Sequence, residues 1–154
     1  MGTAEGASKY HDYARKYVGT GVSIDEYIQE TAAKIFACDR HTRFVCVLDG
    51  KGSVLALTHR KDILLDMSSR ESMGQYTAAW TMEVLMADKF LPIAGSMHHM
   101  IVKFDKLYAA AVPFSLGPHN RLIIILSFDL DCNPMSIIED KIMPLVAASK
   151  EYLM

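Results

Sequence analysis

The chain reads as an α/β sandwich of the α+β class, a five-stranded antiparallel sheet flanked by helices in the order α-β-β-α-β-β-β-α. Three observations predict it. Two β-branched and aromatic runs, Arg43 to Leu48 and Ser53 to Thr58, flank the turn residues Asp49-Gly-Lys-Gly52. Helical periodicity from about Ser69 to Phe90 follows, apolar on two opposite faces. Three further strand-length runs come next: Met97 to Phe104, Leu107 to Phe114 and Arg121 to Phe128.

Taken in order, residues 1–22 form an N-terminal arm, with Gly2, Gly6, Gly19 and Gly21 around the tyrosine-bearing stretch from Lys9 to Tyr17. Residues 23–154 form a single domain. Ser23 suits a helix N-cap and Glu26 completes a capping box; Ile24, Tyr27, Ile28, Ile35 and Phe36 carry the helix to about Cys38. In the first strand, residues 44, 46 and 48 should face opposite to 45 and 47, with both faces covered. Pro92 should limit the long helix. Asp105-Lys106 makes one tight connection and Gly117-Pro-His-Asn120 a longer one. Asn133 caps the last helix with Pro134 at its first position; Ile137, Ile138, Ile142, Leu145 and Val146 give it an apolar face, and Pro144 should kink it.

Composition narrows the function. Of 154 residues, 51% are hydrophobic and 22% charged, a globular balance. The net charge of −2 gives no electrostatic reason for nucleic acid or an anionic membrane as partner. The longest continuous apolar run, Leu122 to Leu126, is strand-length, so no membrane span is expected. The opening Gly, Thr, Ala, Glu and Ser do not read as a secretory signal. The three cysteines, Cys38, Cys46 and Cys132, are far apart and odd in number, so a reduced, cytoplasmic protein is the economical reading.

Residues with chemical potential have simpler structural readings. His98 and His99 invite a metal, but neighbours on a strand point to opposite faces; one alone would need His59, His119 or Asp105 from elsewhere, and an ordinary histidine pair is preferred. Cys38 and Cys46 read as packing residues, while Cys132 in a turn would be reactive if exposed. Asp129 and Asp131 offer too few oxygens for a hard cation and are read as closing a strand and feeding a helix N-terminus. Asp62 and Asp66 are not assumed to join them. Arg40, Arg43, Arg60, Lys61 and Arg70 are interleaved with Asp39, Asp62, Asp66 and Glu71, which reads as a solvated mixed face. There is no phosphate loop, no dinucleotide fingerprint and no nucleophile elbow. No catalytic residue, cofactor or metal is therefore expected.

The opening helix running into Asp39-Arg-His-Thr-Arg-Phe44, the Leu48-Asp-Gly-Lys-Gly-Ser53 hairpin and the strand ending Leu126-Ser-Phe-Asp129 together resemble the roadblock / dynein light-chain family, within the profilin-like and longin-like group. They are also similar to short archaeal proteins of unassigned function. The resemblance covers roughly residues 23–153 and implies a non-enzymatic homodimer that docks onto a small GTPase or serves as a signalling scaffold.

On the long helix, Ala78, Met82, Leu85 and Met86 make one face; Met73, Tyr76, Trp80, Val84 and Ala87 make the other. The family's contact runs through this helix and the neighbouring third strand. The resemblance thus implies Met73, Tyr76, Trp80, Val84, Ala87, Met100 and Val102 as the dimer interface. The alternative is a small-molecule sensor: ten methionines would suit a pliable apolar pocket between sheet and helix. An enzyme ranks last for want of a site.

Overall fold

The computed structural model describes residues 24–62, 70–115 and 121–153. The expected N-terminal arm, the Ser23 cap and the Gly117 to Asn120 connection lie outside those residues, as do His119, Asp66 and the side chains of 70–73.

Helix α1 (Ile24–Ala37) leads into a hairpin of β1 (Thr42–Asp49) and β2 (Val54–His59). The long helix α2 (Arg70–Ala87) is followed by a 3₁₀ turn (Asp88–Phe90) and the short α3 (Leu91–Ala94). Then come β3 (Met100–Lys103), β4 (Tyr108–Ser115) and β5 (Arg121–Phe128). The chain closes with α4 (Pro134–Ile137), a π turn (Ile138–Ile142) and α5 (Met143–Leu153). The five strands form one sheet in the order β2-β1-β5-β4-β3, every pair antiparallel.

Strand β1 shows why the sheet is covered on both sides. Val45 and Val47 pack with Ile28, Ala32, Ile35, Ile138, Ile142 and Val146, which belong to α1 and the C-terminal helices. Phe44, Cys46 and Leu48 turn to the other face and meet Trp80 and Val84 of α2. Central β5 divides the same way: Leu122, Ile124, Leu126 and Phe128 against the first layer, Ile123 and Ile125 against α2. A strand buried on both faces reads as a continuous apolar run, which is the character of this one.

The hairpin tip is built from one buried side chain. Asp49 Oδ1 accepts the backbone N–H groups of Lys51 and Ser53, each at 2.9 Å. Gly52 takes φ +85°, and a Cβ there would come within 3.0 Å of Thr81 Oγ1, so the turn approaches α2 closely. Pro113 is tolerated inside β4 because β3 pairs only as far as Ala111, leaving no outer neighbour opposite the missing donor.

Two expectations are corrected. Pro92 does not end the helical run: it takes a first-turn position in α3, where a missing N–H costs nothing, and the run stops at Gly95 with φ 81°. The third strand starts at Met100 rather than Met97, so His98 and His99 precede it and the opposite-facing argument does not apply to them. At Pro144, where a kink is expected, the helix widens just before the proline, an irregularity of the kind that accompanies kinks. Met143 N–H donates to Ile138 O across a π turn, relieving the crowding a proline ring meets one turn back. Asn133 caps α4 as expected, its Oδ1 accepting from the Ser136 N–H at 3.2 Å.

Candidate interaction surface

Helix α2 has two apolar sides, and the fold uses one. Trp80 is 8% exposed and Val84 fully buried, both against the chain's own sheet. Tyr76 is half-buried beside them, edge-on to Phe44 and to Trp80 with ring centroids 6.1 Å and 6.4 Å away. Burial pushes the Tyr76 hydroxyl's pKa up, partly offset by its hydrogen bond with Trp80. Trp80 and Val84, two of the residues expected at a partner contact, thus pack into the core of their own chain. The reason is the sheet's own demand. Phe44, Ile123 and Ile125 need an apolar cover on this side, and the bulkier stripe of α2 supplies it.

The face left open is the other one. Met82, Leu85 and Met86 are 65%, 54% and 56% exposed. Ala78 is exposed on the same side, and Ala87 sits half-exposed at the boundary. The stripe continues past the helix end into Phe90, Leu91 and Ile93, the last 88% exposed. The Arg121 guanidinium holds this end in place by an ion pair with Asp88. Scattered apolar surface residues are ordinary, but a run of six large ones along one helical segment makes this the candidate interaction surface.

Beside α2 the sheet ends in β3, whose Met100 and Val102 are half-buried on the α2 side. The opposite edge is guarded. Helix α1 packs along β2, and Gln29 Nε2 donates to Leu55 O at 2.9 Å, occupying an edge carbonyl. The two edges thus differ: one wears a side-chain cap, while the other lies next to an exposed apolar helix. Sequence periodicity carried no sign of the Gln29 cap, because it joins residues from separate elements.

At the far end of the sheet lies an ion network that the sequence only hinted at. Asp129, at the end of β5, accepts from Arg60 Nη1 and Nη2 at 2.6 Å and 2.8 Å and from Arg43 Nη1 at 3.2 Å. These hydrogen bonds, Arg60's first, hold the Asp129 carboxyl below the usual range against the effect of burial. Asp129 therefore clasps β1 and the end of β2 rather than feeding the helix N-terminus, and Arg43 and Arg60 are ion-paired rather than merely solvated. Nearby, Asp39 accepts from the His41 N–H at 2.8 Å, pairs with the His41 ring at 2.7 Å and with Lys141 Nζ at 2.8 Å. Burial alone would raise the Asp39 carboxyl; the bonds from Lys141 and His41 hold it at about 2. Asp131 is exposed, 4.0 Å from His41 Nε2. Every salt link here is internal to the fold, and the cluster offers no substrate a convergent nucleophile and base.

The remaining candidates fall apart spatially. His98 is exposed and His99 half-buried ahead of β3. Among the described residues, no group of three or more His, Cys, Asp or Glu side chains is placed to hold a metal ion. Cys132 donates its Sγ hydrogen to Asp129 O at 3.1 Å. Between the sheet and α1 and α5 lies a cavity of about 10 Å³ lined by Ile28, Thr31, Val47 and Ser149 among others. It has space for one water at most, so it is no metabolite pocket. No described helix is long and apolar enough to cross a membrane.

One antiparallel sheet, with α1 and the C-terminal helices on one face and a single long helix on the other, decides the comparison. The fold is that of a roadblock/LC7 domain. A Roadblock/LC7 domain from Streptomyces avermitilis superposes with a TM-score of 0.59 at 13% identity, covering 82% of this chain and 97% of that one. MglB of Myxococcus xanthus gives a TM-score of 0.60 at 9% identity, over 88% and 91% of the two chains. Gliding protein MglB from Thermus thermophilus gives 0.56 at 15% identity, over 81% and 87%. At such identities the roadblock fold is shared while the surface residues are this chain's own. No family model matches the sequence, and no curated protein does either.

Proposed function

We propose that this chain is a non-enzymatic homodimeric interaction module of the cytoplasm, a signalling scaffold whose partner is a small GTPase. The observation that carries the proposal is the division of α2: its aromatic side is spent on the core, while Met82, Leu85 and Met86 stand in solvent. A second copy related by a two-fold axis would cover that face, with the Met100 and Val102 edge alongside. Support also comes from the roadblock fold and from its likeness to a gliding protein, MglB, which points to a role in signalling or motility machinery. The expected seam thus moves from Trp80 to the opposite side of the same helix.

Light scattering over micromolar concentrations tests the dimer, which should weigh about 34 kDa, twice the 17.2 kDa chain. Leu85→Glu should give a folded monomer, since it places an unpaired charge in the seam and none in the core. A wild-type monomer, or a Leu85→Glu dimer of unchanged affinity, would overturn this seam. Calorimetric titration with small GTPases of the same genome, loaded with GDP or a non-hydrolysable GTP analogue, tests the partner. Absence of binding in both nucleotide states refutes that part.

A further inference from the structure

We propose that Met82 and Met86 are a reversible oxidation site that controls self-association through the open face of α2. The inference rests on the homodimer reading above and adds a regulation to it. The two methionines lie one helical turn apart and are 65% and 56% exposed as residues, with Leu85 beside them. A two-electron oxidant of the peroxide or hypohalous acid class reaches them in the free chain. With peroxide, a sulfur lone pair attacks one oxygen, the O–O bond breaks, an S–O bond forms and water leaves. The sulfur is oxidised by two electrons and the peroxide reduced by two.

The consequence follows from what surrounds these side chains. In the single chain a sulfoxide at either position points into water, so folding is untouched. In a two-fold seam the same oxygens, two from each copy, would have to be buried among Ala78, Leu85 and the partner's equivalent apolar groups, which donate no hydrogen bond; the donors on this face, Gln75 and Lys89, stand at its two ends and are exposed. Each unpaired buried acceptor then weakens association by about tenfold or more.

The thiols do not divert the oxidant. Cys46 is fully buried, its pKa pushed up to about 12, and burial followed by neighbouring carboxylates raises Cys38 and Cys132 as well. Little of the reactive thiolate is therefore present at neutral pH. Met135, also exposed but on α4, serves as an internal control.

The test uses the full chain treated with graded hydrogen peroxide. Peptide mapping follows the gain of about 16 Da per sulfoxide, light scattering follows association and far-ultraviolet circular dichroism follows the fold. Dissociation should track oxidation of Met82 and Met86 at constant helicity and reverse when methionine sulfoxide reductases of both epimer classes are added. The double variant Met82→Leu, Met86→Leu should hold its own starting affinity, whatever that is, through the same treatment. Met135→Leu should remain as sensitive as the wild type. A dimer that persists with both sulfoxides in place overturns the inference, as does a double variant that dissociates equally. A wild type already monomeric before treatment overturns the dimer reading and this inference together.

Discussion

The ring of Tyr76 stands edge-on to Phe44, with centroids 6.1 Å apart and planes at 85°. That contact joins the long helix to the first strand and fixes which side of α2 faces inward. Trp80, next along the stripe, is the largest side chain under this control, and its packing leads to the first prediction.

Trp80→Ala should destabilise the monomer fold by about 3–5 kcal/mol, because it empties a packed aromatic site between α2 and the sheet. Denaturant unfolding at matched concentration would measure it. A loss below about 1 kcal/mol with an altered molecular weight would instead show Trp80 acting between copies. The exposed face behaves oppositely, since Leu85→Glu changes association and leaves the unfolding midpoint of the monomer in place.

Gly52→Ala should destabilise the domain by about 1–2 kcal/mol. The substitution forces an alanine into φ +85° and drives its Cβ to 3.0 Å from Thr81 Oγ1. The double variant Gly52→Ala, Thr81→Ala should recover the steric part and leave the backbone part. Thermal unfolding of the set separates the two, and full additivity of the single effects would mean that the hairpin tip and α2 are uncoupled.

Asp39 should make folding sensitive to acid. Its carboxyl titrates at about 2 in the folded chain against an ordinary value of 3.8, so the unfolded state binds the proton first as pH falls. The stabilisation is fully present above the ordinary value and is lost as pH drops from about 4 to about 2. Because Lys141 is half exposed, solvent screening holds the contribution to about 1 kcal/mol. Asp39→Asn should flatten the stability profile across that window, which denaturant titrations at a series of pH values would reveal. A parallel profile for wild type and variant would rule the carboxylate out.

Removing one member of the sheet-end clasp should cost more than removing the set. Asp129→Ala leaves Arg43 and Arg60, each about three-quarters buried, facing one another without their shared anion, with only the exposed Asp62, 3.3 Å from Arg60 Nε, to offset the pair. The triple variant Asp129→Ala, Arg43→Met, Arg60→Met should be the more stable of the two in urea unfolding. The reverse order would mean that the guanidinium groups find other partners when the carboxylate is gone.

Much of the architecture was already written in local pattern. The β-branched and aromatic run of Arg43 to Leu48, the Asp49-Gly-Lys-Gly52 turn and the Arg121 to Phe128 run specify strands and their connection through residues close in sequence. The structure bears out their order and the alternation of residues 44, 46 and 48 against 45 and 47. Asn133 and Pro134 likewise declare a helix start by the chemistry of its first turn. Periodicity could also say that α2 was apolar on both sides. It could not say which side the sheet would claim, because that depends on the bulk that Phe44, Ile123 and Ile125 present from strands distant in sequence.

The same reason separates the remaining cases. Gln29 meeting Leu55, Arg60 meeting Asp129 and Lys141 meeting Asp39 join residues from different elements, so no local window holds both partners. Strand order, and with it the edge left beside the exposed helix, is equally a property of the assembled sheet. Backbone preference and side-chain spacing, both local, set the elements, their order and their amphipathic faces. Which apolar face became core and which became surface was settled only on assembly, because burial is a competition between faces for one sheet.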